Sequence, residues 1–466
     1  MDKCGRVTSS STSFLNKATA IVNGTTLTYT YQADYPYGVH PSALEQGEIL
    51  LYSGYAATGN GENRGLTLHI IVQQVLFCRT IFGGVEKLDY FCNRKIKKRH
   101  LATTVKEIAT ALEKFAPLPL QDGYDNAGLQ IGLTDAEVTG VLLCLDVTEQ
   151  VVDEAVALGC NLIVSHHPLL FRPLKRIVGN SYVERCVIKA LSKGIAIYSA
   201  HTNLDNAQGG VNHRIAQKLG LKNVRTLVPK ENSLLKLVTY VPALQAEAVR
   251  QALFDAGCGE IGNYGSCSYN INGTGTFKAN DGCNPYCGKI GELHSEEEVR
   301  IETVLPTYIK NRVIRALLSA HPYEEPAYDI YALQNEWDRN GSGVIGELEV
   351  PTDEKDFLLK IKETFNAGCV KHTHIRGKAI AKVALCGGAG ASFAGAALAS
   401  GADIYITGEA RYHELFDGTN RMLYAIIGHY ESEQYTVEIF KEIISEAFPA
   451  VNVVTSEICT NPIECL

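Results

Sequence analysis

Five residues in this sequence have the types and spacing to hold divalent metal: His166, His167, Asp205, His429 and Glu433. Three imidazoles and two carboxylates suit borderline ions such as Zn²⁺, Fe²⁺, Mn²⁺, Co²⁺ or Ni²⁺. The set is large enough for two divalent metal ions per chain if one carboxylate bridges them. Asp205 and Glu433 are both candidates for the bridge. Paired ions polarise a substrate and acidify water, which is the chemistry of hydrolysis. Adjacent His166 and His167 in extended chain point to opposite sides. A kink, helped by Pro168, lets each face a different ion. His429 and Glu433 stand four residues apart, so a helical turn begun by His429 places both on one face. The competing reading is plain: a lone strand-end histidine is more often a hydrogen-bonded rim residue than a ligand. Five such residues, four of them at expected strand ends, weigh against it.

The elements that would position them alternate regularly from residue 103. An amphipathic helix over 105–115 carries Ile108, Leu112 and Phe115 on one face and stops before Pro117. Strands are expected over 141–146, 161–165 and 196–200, separated by helices over 148–158 and 182–193. The second strand runs into His166 and His167, the third into the HTNLD segment that ends at Asp205. A helix over 209–219 follows. The pattern resumes with a helix over 355–365, strands over 382–385, 402–407 and 423–428, a helix over 432–447 and a short strand over 452–455. This β–α–β alternation predicts a mainly parallel sheet with right-handed crossovers. Ligands of such sheets gather at the carboxyl ends of the strands, where the five residues fall.

Residues 231–337 break the pattern with a ferredoxin-like β–α–β, β–α–β order. They are expected to form an α+β domain inserted between the two halves, 103–230 and 338–466, of a split α/β core. Residues 1–102 read as an N-terminal extension of unassigned fold, rich in Gly, Ser, Thr and Tyr and ending in a basic run at 94–99. Strands are expected there over 25–32 and 65–77, and no motif is visible.

The bulk composition narrows the function classes. With 466 residues and 45% hydrophobic content, two or three domains with real cores are expected. A net charge of −8 argues against a broad nucleic-acid footprint. No apolar run is long enough to span a membrane, and the first residues lack the apolar core of a secretory signal, so a cytoplasmic protein is expected. Fourteen cysteines would then stay reduced. Cys267, Cys283 and Cys287 are close enough in sequence to share a metal, although scattered thiols are the more ordinary reading.

Several motifs recur in order: GYDNAGLQIG at 123–132, SHHPLLF at 165–171, HTNLDNAQGGVN at 201–212, TGEARYHE at 407–414 and GHYESE at 428–433. Together they resemble the Nif-three-like family, also called the type 2 GTP cyclohydrolase I family of dinuclear-metal hexamers, over residues 103–466. The resemblance implies a metal pair held by His166, His167, Asp205, His429 and Glu433. It also implies a ring-shaped homohexamer with the sites facing an internal cavity. Longer members carry an inserted domain similar to PII and CutA trimers, and HPYEEPAYDI at 321–330 looks like its hallmark. Its His321, Glu324, Glu325 and Asp329 are read as a turn and interface motif between prolines rather than as a further metal site.

Other candidates adjoin these motifs. His201 and His413 are candidate proton carriers or partners of the ligands, with rim histidines as the bland alternative. Asp125 and Asn126 either orient a ligand or hold a turn. The glycine turn at 386–392 (CGGAGAS) either cradles an anion or permits close packing. His372 and His374 carry little signal. Two functions fit: a metal-dependent hydrolase of a nucleotide or phosphoester, and a non-catalytic metal-binding or ligand-sensing oligomeric scaffold. No P-loop and no guanine-recognition motif is visible to favour GTP itself.

Overall fold

The computed structural model describes residues 102–416, 418 and 420–465, together with the backbone of three N-terminal strands. These are β1 (Asn16–Val22), β2 (Thr25–Gln32) and β3 (Ser53–Ala56), joined as one antiparallel sheet. The strand expected over 25–32 is β2. The strand expected over 65–77 and the basic run at 94–99 lie outside the described residues. Residues 1–101 and 102–466 are separate compact units.

The second unit opens with a helix, Val105–Phe115, whose start is fixed chemically. The Thr104 hydroxyl accepts from the Glu107 amide at 3.3 Å, and Glu107 accepts the Thr104 amide at 2.8 Å. Ile108 and Leu112 are buried on its inner face. Four strands follow: β4 (Gly128–Ile131), β5 (Val141–Cys144), β6 (Leu162–Ser165) and β7 (Ala196–Ser199). The runs VLLC, LIVS and AIYS are buried at every position, as strands covered on both faces must be. β5, β6 and β7 are parallel neighbours, and β4 closes one edge antiparallel to β7.

The chain then leaves this sheet through β8 (Lys222–Pro229) and enters a third one. That sheet consists of β9 (Leu234–Pro242), β10 (Ser268–Lys278), β11 (Leu293–Pro306) and β12 (Tyr328–Ala332). All its pairings are antiparallel, and the order β10-β11-β9-β12 with helices Ala246–Asp255 and Lys310–Ala320 is the ferredoxin-like arrangement. It has its own core, with Leu237, Val249, Leu253, Ile301, Val313 and Leu317.

β13 (Gly341–Asp353) brings the chain back, pairing with β8 so that Gly341 meets Pro229. It is followed by β14 (Lys371–His372), β15 (Ala379–Cys386), β16 (Ile404–Thr407) and β17 (Leu423–Ile426), which complete a six-stranded sheet in the order β14-β17-β16-β15-β13-β8. β15, β16 and β17 are parallel. Finally β18 (Val453–Thr455) crosses back to pair with β5 in the first sheet.

The expectation of one mainly parallel sheet is therefore corrected: the α/β part has two sheets, the first parallel except for the antiparallel edge strand β4, the second with a parallel centre flanked by antiparallel β14 on one side and β13 and β8 on the other. β8 and β13 were not expected as strands. Both alternate exposed and buried positions irregularly and lack a clean apolar run. The two sheets share one apolar cluster. Ile108, Ile215 and Phe440, from three helices, join Leu143 and Val164 of the first sheet to Leu385 and Ile406 of the second. Among the described residues no helix is long and apolar enough to cross a membrane.

One ion pair is sealed in this core. Arg376 Nε donates to Glu354 Oε1 at 2.7 Å, and the amides of Arg376 and Gly377 donate to Oε2 at 2.6 and 2.9 Å. Burial raises the Glu354 carboxyl, but these donors outweigh it and hold the carboxyl below its usual range. Its stabilisation is therefore present above the unfolded carboxyl pKa of about 4.3 and is lost as pH falls through the lowered folded value. Glu354→Gln is expected to cost about 3–5 kcal/mol at neutral pH, because it strands a buried guanidinium. Urea unfolding of the two proteins at pH 7 checks the loss. A loss below about 1 kcal/mol would reduce the pair to the level of a surface salt bridge.

Candidate metal centre

The strands set the site. In the first sheet Cys144, Ser165 and Ser199 are level across β5, β6 and β7. The residues just beyond them, Asp146, His166, His167 and His201, emerge at one carboxyl edge. In the second sheet Cys386, Thr407 and Ile426 are level across β15, β16 and β17. Beyond them come Gly388, Glu409 and His429. The one-turn helix His429–Glu433 then carries Glu433 back over that edge.

The two edges meet at Glu433. His167 Nε2 lies 3.0 Å and His429 Nε2 lies 3.1 Å from Glu433 Oε2. His166 Nε2 lies 3.8 Å from Glu433 Oε1 and 3.6 Å from Asp205 Oδ1. The five expected residues thus come together as two overlapping groups, His166–Asp205–Glu433 and His167–His429–Glu433. Glu433 belongs to both, so of the two candidate bridges it is the one with an oxygen on each side.

Asp205 is not at a strand end as expected. β7 stops at Ser199, and Asp205 closes a single helical turn, Thr202–Asp205. One local and one long-range polar bond explain the turn. The His201 amide donates to Asn203 Oδ1 at 2.9 Å, and the Thr202 amide donates to Asp125 Oδ2 at 3.0 Å.

The outer nitrogen of each imidazole is already committed. His166 Nδ1 donates to the Ala200 carbonyl at 2.8 Å. His167 Nδ1 is 2.7 Å from Asp146, and His429 Nδ1 is 3.1 Å from Glu409. A neutral ring that donates through Nδ1 carries a bare lone pair on Nε2. In the neutral form all three rings aim their Nε2 lone pairs inward, and the Nε2 atoms of His167 and His429 are only 3.2 Å apart. His166 Nε2 is fully buried without a hydrogen-bond partner, and Glu433 Oε2 is fully buried against the two other imidazole nitrogens. Bare nitrogens and carboxylate oxygens at these separations repel unless positive charge lies between them. The donor set fits two divalent ions on that ground.

The electrostatics agree. Burial pushes the Glu433 carboxyl up, but His166, His167 and His429 outweigh it and hold it well below the ordinary range. Burial and the Glu433 charge push Asp205 up to about 7. Burial pulls His167 down, yet Asp146 and Glu433 more than reverse this and push it up to about 10.

Asp146 and Glu409 were not singled out in the sequence. Asp146 carried a usable signal, standing beyond β5 as His166 and His167 stand beyond β6. Glu409 is within TGEARYHE, where His413 drew attention instead. His413 lies on an exposed turn against Tyr412 and Phe416, and among the described residues no hydrogen bond or ring contact joins it to the cluster. His201 does belong. Its ring is 5.3 Å from that of His166 and 5.4 Å from that of His167. Asp125 holds its Nδ1 at 2.8 Å, so Asp125 both orients a histidine and caps a turn. Hydrogen bonds to His201 and Thr202 lower Asp125 to about 2 against the upward pull of burial. Asn126 ties its loop to the Leu170 carbonyl at 2.6 Å. His372 is exposed on β14 and bonds its neighbour Thr373.

The model of the Duf34/NIF3 family (NGG1p interacting factor 3) matches residues 103–462. The chain belongs to the Duf34/NIF3 family. It is 43% identical over 313 residues to a protein of Halalkalibacterium halodurans named GTP cyclohydrolase 1 type 2 homolog, covering 66% of this chain and 84% of that one. A Bacillus subtilis protein of the same name is 38% identical over 362 residues, covering 77% and 97%. Among solved structures, a Bacillus cereus protein related to NIF3 is 38% identical with a TM-score of 0.70, covering 78% of this chain and all of that one.

The glycine turn after β15 has a packing role in this family member. Gly388 has φ of +56°, its amide donates to Ser432 Oγ at 3.0 Å, and a Cβ there would overlap Glu433 Oε1. Gly388→Ala is expected to cost about 1–3 kcal/mol through overpacking and backbone strain. The urea midpoint checks this; an unchanged midpoint would show that Glu433 can move aside freely.

Proposed function

We propose that this Duf34/NIF3 protein holds two divalent ions, Zn²⁺, Fe²⁺, Mn²⁺, Co²⁺ or Ni²⁺, and acts as a metal-dependent hydrolase of a nucleotide or phosphoester. The observation that carries the reading is Glu433. One buried carboxylate meets all three inward-facing imidazoles, and Asp205 faces the same nitrogen of His166. His166, Asp205 and one Glu433 oxygen would hold the first ion, and His167, His429 and the other oxygen the second. Bound there, such ions supply Lewis acidity and a lowered pKa for water. The chain's own groups do the rest. Asp146, Glu409 and the Ala200 carbonyl fix the ring orientations. Asp125 holds His201 by Nδ1 and leaves its Nε2 at the cluster's rim, where it would move a proton. The name shared by the relatives points to GTP as one substrate to try.

The alternative is a non-catalytic metal-binding or ligand-sensing scaffold. It draws on a separate cleft of about 660 Å³ on the ferredoxin-like sheet, lined by Tyr240, Phe277 and Tyr323. We read that inserted domain as PII/CutA-like, and the assembly as a homohexamer in the cytoplasm; light scattering tests the last arrangement against a monomer.

Turnover of GTP and of generic phosphoesters should depend on added metal and vanish in His166→Ala and Glu433→Ala. His201→Gln should lower kcat by about 10²–10⁴ while leaving metal content unchanged. Asp146→Asn should weaken metal binding by about 10–100-fold. Turnover that persists in both ligand variants would sink the hydrolase reading for this site. Full metal content with no turnover on any substrate class would favour the scaffold.

A further inference from the structure

A second group of donors lies away from this centre. Cys287, His294 and Glu296 bring a sulfur, an imidazole nitrogen and a carboxylate oxygen within 4.8 Å of one another. His294 and Glu296 are two residues apart on β11, so they leave the same face of the strand. His294 Nε2 is 2.8 Å from Glu296 Oε2. Cys287 arrives from the connection between β10 and β11, residues 279–292, which is folded back and fastened. The Gly291 amide donates to the Ala279 carbonyl at 2.8 Å, and the Asn284 amide donates to Glu324 Oε2 at 2.8 Å. Gln245 Nε2 donates to Tyr286 Oη at 2.9 Å.

The approach of Cys287 is built in. Gly288 has φ of +78°, and a Cβ there would lie 2.9 Å from His294 Cβ, so only glycine lets the chain pass this close. The β10–β11 ladder is already continuous from Ser268–Thr303 to Lys278–Leu293 and does not need this contact. A partly exposed His–Glu pair contributes only about 0–1 kcal/mol, and the thiol beside it donates only a long bond to Tyr323 Oη at 3.8 Å. Cys267 takes no part, since its thiol donates to the carbonyls of Tyr264 and Gly265.

We propose that Cys287, His294 and Glu296 form a mononuclear site for a zinc-type ion, with a fourth position open to water. Thiolate, imidazole and carboxylate together select a borderline ion over Mg²⁺ or Ca²⁺. Binding releases the thiol proton to solvent. The consequence is mechanical. The same connection supplies Ala279, Asn280, Cys283 and Tyr286 to the cleft whose other side carries Tyr323 and Arg300. A bound ion therefore fixes one wall of that cleft.

Cobalt distinguishes this site from the five-residue cluster, because only a sulfur ligand gives a thiolate-to-cobalt charge-transfer band in the near ultraviolet. Reduced full-length protein titrated with Co²⁺ should develop that band, and Zn²⁺ should displace it. The band should be lost in Cys287→Ser. Cobalt affinity read from it should fall by at least about tenfold in His294→Gln and Glu296→Gln. It should remain in Cys283→Ser and His166→Ala. Absence of the band in the unaltered protein, or its survival in Cys287→Ser, overturns the proposal. If Cys287→Ser loses its circular dichroism signature, His294→Gln decides, and an unchanged affinity there overturns the proposal too.

Discussion

Everything at the candidate centre depends on one constraint: three imidazole nitrogens with committed partners behind them turn their lone pairs toward a single buried carboxylate. Such a cluster is repulsive in itself. Electronegative atoms are driven together by the folding of two sheets, and positive charge at their centre offsets that cost. The high pKa of His167, about 10, is the signature of that demand in protons. The low pKa of Glu433 is its counterpart. On the proposed reading, two divalent ions satisfy the same demand more completely.

The fold supplies the constraint by bringing together residues far apart in sequence. His166 and His167 come from the edge of one sheet, His429 and Glu433 from the edge of the other. The sheets are tied by β18, which returns to β5, and by the helices that fill the apolar layer between them. Close packing finishes the work: Gly388 leaves room for Glu433 only because it has no side chain.

Much of this was legible in the residues. Continuous apolar runs announced β5, β6 and β7, and a four-residue spacing put His429 and Glu433 on one helical face. The inserted module's order of elements matched the observed sheet. What was not legible was of three kinds. β8 and β13 have mixed burial, so no periodicity marks them, and without them nothing sets β15, β16 and β17 apart as a second sheet. The turn ending in Asp205 is set by Asp125, a contact across 77 residues that no local pattern contains. Glu409 supports His429 from a neighbouring strand, and strand order is a property of the fold. Of the two alternatives open for His413, the exposed turn it occupies matches the rim histidine.

Anomalous diffraction from a metal-loaded crystal tests the central claim most directly. Two peaks per chain are expected, on either side of the Glu433 carboxylate, one against His166 and Asp205 and one against His167 and His429. A single peak, or peaks that leave Glu433 uncoordinated, would contradict it.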